Sequence, residues 1–258
     1  MPVNEAKKDS LVQTHIEIDR MLELWNERTG GRDTIRPNLP AEVGFTVFSL
    51  TNHVVRLTKV ILVELEAGFD IEVLPQIRQS IECAMTAAWL DLYADTAGKA
   101  FIHEGVRQRK AAFETMVKEG YSPEPGLQQA LDLLDTGSNW RSTEGQYFEQ
   151  RCKSMADGDF VYLMYRLASS LSHAGIGVVD FYLEDLDNES HSIGLELVLD
   201  ARLDSIDEWL GIQAAMLCRA LISFNNVIVT WEAQDALTAI AQSIGVNPVN
   251  EKSQDANI

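Results

Sequence analysis

Cations are scarce in this chain: 21 lysines and arginines stand against 39 aspartates and glutamates, a formal charge of −18 at pH 7. A protein that lives on a phosphate backbone needs clustered cations, because release of condensed counterions drives such binding. General nucleic-acid binding is therefore disfavoured, and only a local basic groove stays open to it. Cysteine is equally sparse. Cys83, Cys152 and Cys218 are odd in number, far apart and never in a CxxC spacing. That excludes a disulfide framework and a paired-cysteine zinc site, and fits reduced thiols in a cytoplasmic protein. The opening MPVNEAKKDS holds no apolar signal core, so export is not expected.

Motifs that carry chemistry are missing too. None of His15, His53, His103, His173 and His191 has a glutamate three positions before it, and HExxH does not occur. Di-iron bundles and zinc hydrolases of those kinds are excluded. GxxxxGK[ST], GxGxxG and GxSxG are absent, which removes the phosphate loop, the dinucleotide fingerprint and the nucleophile elbow. Neither a metal nor a cofactor is expected. One run, Trp209–Trp231, is apolar enough to raise the question of a membrane span, yet Gln213, Arg219, Ser223, Asn225 and Asn226 interrupt it. A central arginine costs several kcal/mol in lipid, so the run is expected to be a helix buried in the bundle or in a dimer interface, with no membrane contact.

What the chain does hold is helical periodicity. Hydrophobic residues make up 46% and charged residues 23%, ordinary proportions for a globular protein of 258 residues with a substantial core. Leu11, His15, Ile18, Leu22 and Trp25 recur at three and four, predicting an amphipathic helix over 10–28 that stops at Gly30 and Gly31. A second helix is predicted from Ala41 to Ala67 with Gly68 as its cap, and a third, capped by Asp70 with Pro75 in its first turn, to about Asp95. Within the third, Arg78 and Glu82 lie one turn apart, either as part of a polar cluster facing a later helix or as a solvated ion pair. Further helices are predicted over 96–119, Leu127–Leu134, Glu144–Met155 with Thr143 as cap, and Asp159–His173, started by Asp157 or Asp159. Alternation over Val178–Leu183 and Ile193–Leu199 allows a short β-hairpin near 178–199. Ser205-Ile206-Asp207-Glu208 matches a capping box that opens a helix through Trp231, extending to Ile244 at its longest. The expectation is an all-α, single-domain bundle of seven or eight helices over residues 1–244, with 245–258 a disordered tail.

The stretch Asp159–His173 concentrates the polar chemistry. Tyr162, Arg166, Ser169 and His173 follow i, i+4, i+7, i+11, so they form one stripe at the helical pitch, with Met164, Ala168 and Leu171 roughly opposite. Arg stabilises negative charge on phosphate and His moves a proton near neutral pH, a combination suited to phosphodiester cleavage. The other reading leaves Arg166 paired with an acidic neighbour such as Glu82, and His173 as a favourable cation at a helix C-terminus.

Taken together, RQSIECAMTAAWL (78–90), the charged helix that follows and YLMYRLASSLSH (162–173) resemble the bacterial helical family called domain of unknown function 5677, over the region 45 to 185. Arg166-x6-His173 is similar, more loosely, to the Arg-x(4–6)-His signature of HEPN helical bundles, many of which are metal-independent ribonucleases of toxin–antitoxin and phage-defence systems. That resemblance implies an RNA substrate, an antitoxin or regulatory protein partner, and a homodimer in which Arg and His of two protomers meet. It also implies catalysis by Arg166 and His173 with the RNA 2′-hydroxyl as nucleophile, supported by Tyr162 and Ser169; Arg78 and Glu82 are the further candidate binding residues. The alternative is a non-catalytic helical binding or regulatory module in which the same cluster only orients helices.

Overall fold

The computed structural model describes residues 2–28, 33–122, 126, 129, 142–185 and 194–254, with side chains from residue 11 onward except at Asp185. In chain order its elements are α1 (Pro2–Glu27), α2 (Ala41–Glu66), α3 (Leu74–Lys118), the short α4 (Thr143–Gln146) and α5 (Phe148–Lys153), α6 (Gly158–Ser172), the single-turn α7 (Ile176–Asp180), β1 (Leu183–Asp185), β2 (Leu195–Leu197), α8 (Ile206–Val227) and α9 (Gln234–Ser243). The fold is mainly α, with one small two-stranded sheet among the described residues. The predicted helix at Leu127–Leu134 falls almost wholly outside the described residues, as do His191, Ile193 and the last four positions.

Helix α8 occupies the centre, and this explains its apolar sequence. It packs on α2 and α3, with α1 and α9 against its other sides. The polar residues inside it tie these neighbours together. Gln213 Nε2 donates to Thr58 Oγ1 at 2.7 Å, and Asn225 Nδ2 donates to Gln234 Oε1 at 3.0 Å. A buried polar group is tolerated when it finds such a partner, so the run reads as a core helix. Around one end, Trp25, Phe48, Phe224 and Trp231 form an aromatic cluster, with the Arg28 guanidinium 4.2 Å from the Trp25 ring centroid. All three cysteines are buried, and burial pushes the Cys152 and Cys218 thiols up to about 12.

Several predicted boundaries hold and others move. Gly68 and Gly120 have φ of +87° and +83°, the left-handed geometry that ends a helix and that glycine adopts without strain. The third and fourth predicted helices are one element, α3, broken at Ala94 (φ 41°, ψ −110°). Asp70 is no cap: α3 starts after Val73, and Asp70 faces Arg202 at 3.5 Å. Ser142, not Thr143, caps α4, its Oγ accepting from Gly145 N at 2.8 Å, and Tyr147 separates α4 from α5. Ser205 occupies the N-cap of α8 but makes no side-chain capping bond.

Helix α8 also stops at Val227, well short of Ile244. Ile228 turns extended and bridges Ile35, with Val229 N donating to Thr34 O at 2.8 Å. The hairpin forms with Leu183 opposite Leu197, but Val178, Val179 and Asp180, the first half of its expected first strand, lie in the helical turn Ile176–Asp180. A short apolar run carries too few turns for its period to decide. Leu195, Leu197 and Leu199 are exposed, so the alternation marks no buried face.

The predicted disordered tail is corrected for residues 245–254, which dock on the bundle. Lys252 bridges Met155, Ser253 N donates to Ser154 O at 2.9 Å, and Asn250 is buried with its Nδ2 on Asp91 Oδ2 and Ser223 Oγ. Polar composition suggested disorder, but here the polar side chains are the anchors. Asp91 Oδ2 also accepts from Asn226 Nδ2 at 2.7 Å. Burial pushes the Asp91 carboxyl up, against the pull of these two donors and of Arg36. An acid whose pKa is higher folded than unfolded subtracts stability as pH rises from its unfolded value through its folded one. Below about pH 4 both states hold the proton and the penalty vanishes. Asp91→Asn keeps an oxygen for both donors, so its Tm is expected above wild type at about pH 8, the gap closing toward about pH 4. A gap of constant size across that range would refute this account.

Candidate functional site

Helix α6 divides into three sectors at roughly 100° per residue. Val161 and Ala168 are buried, Tyr162, Tyr165 and Ser169 are half-buried toward the elements packed beside them, and Leu163, Arg166 and Leu167 face solvent. The predicted polar stripe therefore straddles the edge of the buried sector. Its residues separate into two groups.

The first group closes against α3. Arg78 Nε donates to Ser169 Oγ at 2.8 Å and Arg78 Nη2 donates to the Tyr165 hydroxyl at 2.7 Å, with the guanidinium 4.8 Å from the Tyr165 ring centroid. Glu82 flanks the same guanidinium at 3.9 Å. Of the two readings of Arg78, the inter-helix cluster is the one present. The pair is not a solvated i, i+4 bridge alone. Tyr165 was not singled out from sequence, although its place one turn before Ser169 on the same helix was the available signal. Phe148 of α5 backs it, with ring centroids 4.5 Å apart, and Tyr162 stacks on Tyr165 at 6.0 Å.

The second group is open. Arg166 is exposed, its guanidinium held above its ordinary range by the Tyr162 hydroxyl and, more weakly, by Glu149. Glu149 in turn is pulled down mainly by its bond with Lys153, whose Nζ sits 2.6 Å away. So Arg166 does not pair with Glu82. His173 follows the last residue of α6, extended at φ −100° and ψ 148°, and is exposed. Arg166 and His173 stand seven residues apart, about 10 Å along the helix axis. Exposed apolar side chains surround them: Leu163 at 53%, Leu167 at 44% and, just beyond the helix, Ile176 at 75%. Among the described residues no group of three His, Cys, Asp or Glu converges to hold a metal ion.

Asp157 was also missed in its actual role. It is the N-cap residue of α6 without making a side-chain cap, and its Oδ2 accepts instead from Nη2 of the buried Arg219 on α8. Such a contact joins residues far apart in sequence, and no local pattern announces it.

No curated protein and no solved structure matches the chain. A family model described as Family of unknown function (DUF5677) matches residues 45–191, a span that takes in most of α2, all of α3 and the whole of α6. With more than half of its 258 residues inside that match, the chain belongs to this family of unknown function, DUF5677.

Proposed function

We propose that the chain is a HEPN-like, metal-independent ribonuclease that works as a homodimer on RNA phosphodiesters in the cytoplasm. The observation that carries this reading is the exposure of Arg166 and His173 on one edge of α6, beside apolar side chains that have no cover. One protomer spaces the two groups by about 10 Å, too far to grip a single phosphate comfortably. Arg166 of one protomer and His173 of another can converge if the Leu163 and Leu167 faces pack together. In that site His173 takes the proton of the RNA 2′-hydroxyl, and the oxygen attacks the adjacent phosphorus. The bond to the 5′-oxygen breaks, a proton returns to that oxygen, and Arg166 balances the charge that gathers on the phosphoryl oxygens. The products are a 2′,3′-cyclic phosphate and a 5′-hydroxyl end.

A second reading is supported by a separate observation. Arg78, Tyr165 and Ser169 are satisfied by one another inside the bundle, as in a non-catalytic binding or regulatory module. RNA cleavage in EDTA separates the two. Wild type is expected to cut, and His173→Ala and Arg166→Ala, both at exposed positions, are expected to keep wild-type helicity and lose at least about 100-fold in rate. Absence of cleavage by the wild type, or cleavage undiminished in both variants, would sink the nuclease and leave the module.

A further inference from the structure

Between the first turns of α6, the middle of α8 and the chain just after α9 lies a cavity of about 280 Å³. Its walls are largely apolar, with Val161 and Met164 from α6, Ile212 and Met216 from α8, and Val246 beyond α9. At its edge sits Arg219, only 5% exposed. One nitrogen, Nη2, is bonded to Asp157, but Nε is buried with no hydrogen-bond partner. A guanidinium carries five donors, and leaving one dry and unpaired costs about 1–3 kcal/mol. A guanidinium left so calls for a further acceptor, an ordered water or a ligand. Asp157 is half-exposed at the mouth and stands at the N-terminus of α6, whose backbone dipole favours a negative charge at the same point.

We infer that this cavity is a binding site for a small organic anion with an apolar body, a medium-chain monocarboxylate in chemical class. The carboxylate accepts from the free side of the Arg219 guanidinium, and the hydrocarbon lies along Met164, Ile212 and Met216. A neutral apolar ligand would fill the walls and offer the guanidinium no second acceptor. A cation would meet the Arg219 guanidinium, and the Asp157 carboxylate that would attract it is already paired with that arginine. The volume falls near the lower end of small-molecule pockets, which sets the ligand at a single short chain. None of these residues is Arg166 or His173, so the site stands whether or not the chain cleaves RNA.

The test titrates octanoate, with octan-1-ol as the uncharged control, into the full chain by calorimetry. Octanoate is expected to bind one to one and at least about 10-fold more tightly than the alcohol, as a charge-assisted bond to a buried guanidinium requires. Arg219→Met is expected to erase that preference. Because losing Arg219 can also disturb the fold, Ala215→Trp is the second variant: Ala215 lines the cavity and is half-buried, and the indole fills the space. It is expected to keep wild-type helicity and lose octanoate binding. Equal affinity for acid and alcohol, octanoate binding unchanged in Ala215→Trp, or no saturable binding by the wild type would each overturn the assignment.

Discussion

Gly158→Ala is expected to lose more than about 4 kcal/mol, enough to deplete the folded state of an ordinary domain. A Cβ at this position would lie 1.6 Å from the Cys152 carbonyl oxygen and 2.3 Å from its carbonyl carbon. Both are backbone atoms, so no rotamer change relieves the clash, and α5 and the start of α6 must move apart. Gly158 N also donates to Met155 O at 3.1 Å, which fixes the turn where the two meet. The natural control is Gly211→Ala in α8, where the added methyl meets nothing within 4 Å. There the same substitution removes only a helix-interior glycine, and a gain of about 0.5–1 kcal/mol is expected. Denaturant melts of the two variants decide the matter. If Gly158→Ala melts with wild type, the close approach of the two helices is not as described.

The second large effect belongs to Arg151, which is buried in α5. Its Nε and Nη2 donate to the carbonyls of Glu144 and Gly145 at 2.8 Å each, and its Nη1 donates to Thr86 Oγ1 of α3 at 3.0 Å. The carbonyls at the end of a helix as short as α4 have no partners within it, so this side chain supplies them. Trp89 and Phe101 lie against the guanidinium with ring centroids at 5.5 and 5.9 Å. Burial pulls the guanidinium pKa down, with Glu82 and Glu104 opposing it. Arg151→Met fills similar space yet strands three acceptors, for an expected loss of about 3 kcal/mol. At about 2–4 °C per kcal/mol, Tm drops by about 6–12 °C. Arg151→Lys keeps the charge but not the planar fork, and is expected to recover less than half of the loss. A Tm for Arg151→Met within a degree or so of wild type would show the three bonds to be expendable.

Arg151 and Asp157 also mark where sequence reasoning ended. The helix over Asp159–His173 was legible because Met164, Ala168 and Leu171 recur at a local spacing that any chain of this pitch must obey. Gly68 was legible as a stop because backbone geometry constrains it locally. Arg78 facing the later helix was within reach, since most of its helix is apolar around it. The identity of its partners was not, because Tyr165 and Ser169 lie 87 and 91 residues away. The docked tail escaped for the same reason: Asn250 reads as loop composition until Asp91, 159 residues earlier, is placed beside it.

By itself the sequence determined the helical class, the run of α6 with its polar edge, and the apolarity of α8, all properties of spacing within a few turns. The tertiary structure alone decided that α8 is the centre of the bundle and that Arg166 and His173 stay open while Arg78 is locked. It also decided that Arg219 sits half-satisfied at a cavity. Those outcomes depend on which distant groups meet a side chain once water is excluded, and nothing local to a residue encodes its far neighbours.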